Sequence, residues 1–221
     1  MNKAKEPFKF YTRLHLTELT GLRATTLNQL VSLIKQVPGS SIYHHTHRFL
    51  QQHQFLSPEP PNDFAYWVSE VLGEKELGER LASIDITHFK RIHDLRLRII
   101  SVLEEYLGQE RFAQLKFSRE GEEFHFLKSV SFVIPTDYLV DNLADFAEVL
   151  KKITFDSIYF HIFEARLRLE KETNDFSNWI EHSLGDKVLA DELGALDPYT
   201  RTLEDLRVAM INVIEKRMFN R

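Results

Sequence analysis

Asn62–Asp85 reads NDFAYWVSEVLGEKELGERLASID, and Asn174–Asp197 reads NDFSNWIEHSLGDKVLADELGALD. Laid over each other at an offset of 112, the stretches share ten identities in twenty-four positions, where chance gives roughly one or two. The agreement extends outward. Phe8-Lys9-Phe10 returns as Phe124-His125-Phe126 and Ser41-Ile42-Tyr43 as Ser157-Ile158-Tyr159, both 116 residues on, and LRLRIISVLEEYL from Leu95 returns as LRVAMINVIEKRM from Leu206. The chain therefore reads as two repeats, residues 8–107 and 124–219, joined by a linker at 108–123. The first repeat carries four extra residues within FLQQHQFLSPEPP, Phe49–Pro61.

Each repeat opens with alternation. FKFYTRLHL from Phe8 and FHFLKSVSFVI from Phe124 have the period of a half-buried strand, and Pro135 closes the second. TTLNQLVSLIKQV from Thr25 and LVDNLADFAEVLKKI from Leu139 carry apolar residues at three- and four-residue spacing, the mark of an amphipathic helix. Thr25 or Thr26 caps the first of these, and the SIY and NDF segments open a second and third helix. Asn62 or Asp63, and Asn174 or Asp175, cap the third helices, while Asp85 and Asp197 precede the last. Trp67 and Trp179, at matching positions on the apolar side, belong to the core. The fold class is mainly α with two short β-strands (α+β): two β-α-α-α-α repeats related by a pseudo-twofold axis and packed as one globular unit.

Composition narrows the chemistry. With no cysteine the chain has no disulfide, thiolate zinc site or cysteine nucleophile. A net charge of −5 disfavours generic attraction to nucleic acid or anionic lipid. No stretch approaches the roughly 18 apolar residues of a membrane span, and MNKAKEPFKFYTR lacks an apolar signal core, so the expected location is the cytoplasm, with no membrane partner.

The SIY-to-NDF stretch from Ser41 to Asp85, with LTELTGLRATTLNQL from Leu16, resembles an uncharacterised bacterial domain family of unknown function, number 5752, over nearly the whole chain. The resemblance implies a bacterial, soluble protein; it supplies neither an activity nor site residues.

Four of the ten histidines fall in SIYHHTHRFLQQHQ, Ser41–Gln54. His45 lies on the apolar stripe and is matched by His161, so both read as shared architecture, as do Tyr43 and Tyr159. His44, His47 and Arg48 differ, because their counterparts are Phe160, Phe163 and Glu164. The first repeat's helix should therefore meet water or a polar pocket, and the second's should run through the core. His44 and His47 have the i, i+3 spacing from which two imidazoles reach one divalent metal, with a third ligand required from Glu164, His53, His88 or His93. The candidate ligand-binding set is His44, His47, Arg48 and Glu164. Arg48 and Glu164, being equivalent, would pair if their helices met near the pseudo-axis.

Neither HExxH, a phosphate loop nor a GxSxG elbow is present. The favoured function is a binding or regulatory helical module that takes a small molecule or a protein in a cleft between its repeats. The alternative is a metal-assisted hydrolase or lyase built on the histidine pair with Glu164 as ligand or base. Nucleic-acid binding through Lys90, Arg91, Arg96 and Arg98 ranks last.

Overall fold

The computed structural model describes residues 3–48, 62–165, 173–196 and 201–219. Strands β1 (Phe8–Ala24) and β2 (Phe124–Val140) form a two-stranded antiparallel sheet. Each runs 17 residues, so the strands are long where short ones were expected. Pro135 lies inside β2 and does not close it. In a two-stranded sheet each strand has one unpaired edge, where a residue without an N–H is tolerated.

Among the described residues five α-helices follow β1: α1 (Leu27–Gln36), α2 (Gly39–Tyr43), α3 (Asp63–Tyr66), α4 (Lys75–Ala82) and α5 (Ile92–Gln109). Among the described residues five follow β2: α6 (Leu143–Leu150), α7 (Phe155–Tyr159), α8 (Asp175–His182), α9 (Lys187–Gly194) and α10 (Leu203–Phe219). The NDF segment, expected as one helix, breaks in two. Gly73 and Gly185 adopt φ of +70° and +71°, a left-handed conformation in which a side chain is strained, so each ends its helix. Asn62 and Asn174 supply the caps, accepting from the backbone N–H of Ala65 and Ser177 at 2.9 Å each. Thr26 caps α1. Asp85 instead precedes a short 3₁₀ turn at Ile86–His88, and Asp197 lies outside the described residues.

Three helices widen into a π turn. α2 continues as His44–Arg48, α3 as Trp67–Val71 and α7 as Phe160–Glu164. The extra residue per turn shifts side chains around the axis, and such turns are frequent at functional positions.

The chain forms two compact units: an inner unit, His15–Val130, and a split unit, Met1–Leu14 with Ser131–Arg221. Their boundaries fall within the strands. In the split unit Phe8 and Phe10 enter the core of α6–α10, where Phe8 meets Phe146 and Trp179 at 5.7 and 5.5 Å between ring centres. In the inner unit Phe124 and Phe126 enter the core of α1–α5, with Phe124 stacked on Phe64 at 5.1 Å. The leading end of each strand thus packs with helices that its own sequence neighbours do not form. Both tryptophans secure this arrangement. Trp67 Nε1–H donates to the Glu122 carbonyl at 2.7 Å, and Trp179 Nε1–H donates to that of Glu6 at 2.8 Å.

Candidate functional site

A buried strand edge must find partners for its backbone groups, and in each unit a histidine on the π turn provides one. In the inner unit Leu127 N–H donates to His45 Nε2 at 2.9 Å, and His45 Nδ1 lies 2.7 Å from Asp63 Oδ2. Because Nε2 accepts, the ring proton sits on Nδ1 and is donated to the carboxylate. The split unit repeats the wiring: Tyr11 N–H donates to His161 Nε2 at 2.9 Å, and His161 Nδ1–H donates to Asp175 at 2.8 Å. Ser157 Oγ adds a bond to the Tyr11 carbonyl at 2.6 Å. Asp63 and Asp175 therefore orient histidines while the neighbouring asparagines do the capping.

The remaining faces of the two π turns diverge. In the inner unit His44 Nδ1 lies 3.0 Å from Ser129 Oγ on β2. Thr46 Oγ1 donates its only proton to the Ile42 carbonyl at 2.7 Å, so at 3.0 Å it accepts from His47 Nδ1–H and leaves His47 Nε2 as an acceptor. The His47 ring stacks on Tyr43 at 5.3 Å with planes 8° apart, and the His15 ring stacks on Tyr43 at 6.2 Å with planes 21° apart. Burial pulls the His47 imidazole down from 6.5 to about 4, so it is neutral at pH 7. His44, His45, Thr46 and His47 are each 5% exposed or less. Of the two surroundings expected for this helix, water or a polar pocket, the described residues of the π turn have the second: they are buried among hydroxyls and rings.

In the split unit the same places are filled differently. Phe163 stacks on Tyr159 at 4.6 Å and 7°. The Arg13 guanidinium lies over that ring, 4.3 Å from its centroid, and forms an ion pair with Glu164. Arg13 aligns with Ser129 at the 116-residue offset. One unit therefore places imidazoles and hydroxyls around its tyrosine, and the other places a buried cation, a carboxylate and a phenyl ring.

Of the sequence-derived set, His44 and His47 belong to the inner unit, and Glu164 belongs to the split unit, where Arg13 engages it. The side chain of Arg48 and all of His53 lie outside the described residues, so the Arg48–Glu164 pair falls there too. His88 is an exposed partner of Asp85. Among the described residues no group of three or more histidines and carboxylates converges as a metal site, and two imidazoles do not suffice to hold a divalent ion. Arg96, one of the four basic residues considered for phosphate, donates to the Val37 carbonyl at the end of α1 at 2.8 Å. Arg207 does the same at Ile153, at 3.0 Å. Among the described residues no helix is long and apolar enough to cross a membrane.

Sequence reasoning missed Ser129, His15 and Arg13. Their signal was present as the mismatch Arg13/Ser129 between otherwise parallel strands, but strand patterning alone does not say which helix a strand residue will face.

The fold and this site define a class: a mainly helical protein of two compact units, in each of which a π-turn histidine accepts from a strand amide. The chain belongs to the family of unknown function DUF5752, whose model matches residues 5–215. It is similar to the solved structure of OrfY from Thermoproteus tenax, with 29% identity, a TM-score of 0.80 and 97% of each chain covered. No curated protein matches.

Proposed function

We propose that the protein is a binding or regulatory module whose ligand site is the polar face of the inner unit's π turn, formed by His44 and His47 with Tyr43, His15 and Ser129. One observation carries the reading. At a buried position where the split unit uses Phe160 and Phe163, the inner unit places two imidazoles and keeps a serine opposite them. Buried polar groups are costly to retain for packing alone, and a π turn concentrates them on one face. The set contains donors, acceptors and ring faces, as recognition of an uncharged polar ligand requires. A duplicated ancestral repeat, 8–107 and 124–219, accounts for one copy retaining apolar packing while the other diverged.

The test is a thermal-shift screen of the intact protein against metabolite and nucleotide libraries, followed by calorimetric titration of each hit. Hits should bind the wild type and lose affinity in His44→Phe and His47→Phe, which install the split unit's residues. Hits that bind the variants as tightly as the wild type would place the site elsewhere, and a screen without hits redirects the proposal to a protein partner.

A further inference from the structure

We infer that the two His–Asp pairs are proton-gated clasps that hold the ribbon ends to their helices and release them on acidification. The inference is independent of the ligand site. Because Leu127 N–H points at His45 Nε2 and the ring proton is already donated to Asp63, a second proton has one place to go. Once Nε2 is protonated, two N–H groups face each other in buried space and the strand amide has lost its acceptor. The imidazolium at the same time strengthens its bond to Asp63. The ring stays with α3 and the strand is let go.

The surroundings support this division. Facing His45 are the Asp63 carboxylate and the Phe64 ring from α3, the rings of Phe124 and Phe126 from β2, and the His44 ring at 5.1 Å from its own helix. The His45 side chain is 3% exposed but that of Asp63 is 32% exposed, which gives protons a route to the pair. In the split unit His161 is faced by Asp175 and by the rings of Phe8, Phe10, Tyr11, Phe160 and Phe176. Release of either strand end withdraws two core phenylalanines, Phe124 with Phe126 or Phe8 with Phe10, so a local protonation loosens the whole unit.

Amide hydrogen exchange of the full chain, followed by NMR, tests this. Protection of Leu127 and Tyr11, corrected for intrinsic exchange, should fall roughly tenfold or more relative to other core amides as the pH is lowered. In His45→Gln, whose side-chain carbonyl accepts a hydrogen bond but takes no proton, Leu127 protection should become flat with pH. Tyr11, held by His161, should still respond. Unchanged Leu127 protection in the wild type, or the same fall in His45→Gln, overturns the inference. If that variant does not fold, the ¹⁵N shift of His45 Nε2 in the wild type decides. Imidazolium forming in step with loss of Leu127 protection supports the clasp, and imidazolium beside a fully protected Leu127 refutes it.

Discussion

The sharpest stability prediction concerns His47. Its imidazole titrates at 6.5 when exposed and at about 4 in the folded protein, because burial disfavours the charged form. The unfolded chain therefore binds the proton first. Stability is fully present above pH 6.5 and is lost as the pH falls from 6.5 towards 4. At about 1.4 kcal/mol per pH unit, the loss from this one group comes to roughly 3 kcal/mol by pH 4. For a unit of this size, with a urea dependence of about 2 kcal/mol per molar, the midpoint should drop by roughly 1.5 M. His47→Phe installs the residue that stacks on Tyr159 in the split unit at 4.6 Å, keeping the tyrosine stack while removing the titration. Urea unfolding at several pH values between 7 and 4 should give a steep dependence in the wild type and a shallower one in the variant. Subtracting the two removes the carboxylate titrations common to both. Parallel curves for wild type and variant would refute the reasoning.

Three other outcomes are expected. In Gly78→Ala the new Cβ falls 2.6 Å from Ser69 Cβ and 3.2 Å from its Cα, so overpacking of about 1–3 kcal/mol should exceed the helix-propensity gain of about 1 kcal/mol; calorimetry should show a lowered Tm. The aligned Ala190 is a buried core residue, and Ala190→Gly should lose about 1–2 kcal/mol, from helix propensity and the buried methyl. Asp63→Asn allows the new amide to donate to His45 Nδ1, which moves the ring proton to Nε2 and leaves Leu127 N–H without an acceptor; a loss of about 2 kcal/mol in chemical denaturation is expected. Trp67→Phe and Trp179→Phe should each destabilise the unit that carries the substitution by about 1 kcal/mol through loss of the indole N–H bond, read by hydrogen exchange of that unit's core amides, because the remaining tryptophan reports the other unit.

Much of the architecture was legible before any coordinates, because it follows from periodicity and short-range hydrogen bonding. Three- and four-residue spacing marks α1 and α6, alternation marks the starts of both strands, and Thr26, Asn62 and Asn174 have side chains that close a helix end locally. Other features resisted the same reasoning. Pro135 looked like a strand end because a missing N–H is fatal inside a wide sheet; it is tolerated where each strand is an edge. The π turns left no mark, since the pattern of apolar residues is similar for a widened and an ordinary helix over five positions.

The sequence by itself determined that the protein is mainly helical with a strand at the start of each half, which family it belongs to, and which positions are apolar, since hydrophobicity is a property each residue carries with it. Only the tertiary structure decided who packs against whom. Phe8 and Phe10 join helices more than a hundred residues away, and Arg13 on β1 meets Glu164 on a π turn about 150 residues on. Asp63 and Asp175 turn inward to histidines where they had been candidates for caps. The hydrophobic effect is non-directional and specifies that a ring will be buried, but the choice among apolar partners, and the single acceptor that a buried strand amide finds, depend on geometry that exists only once the chain has closed on itself.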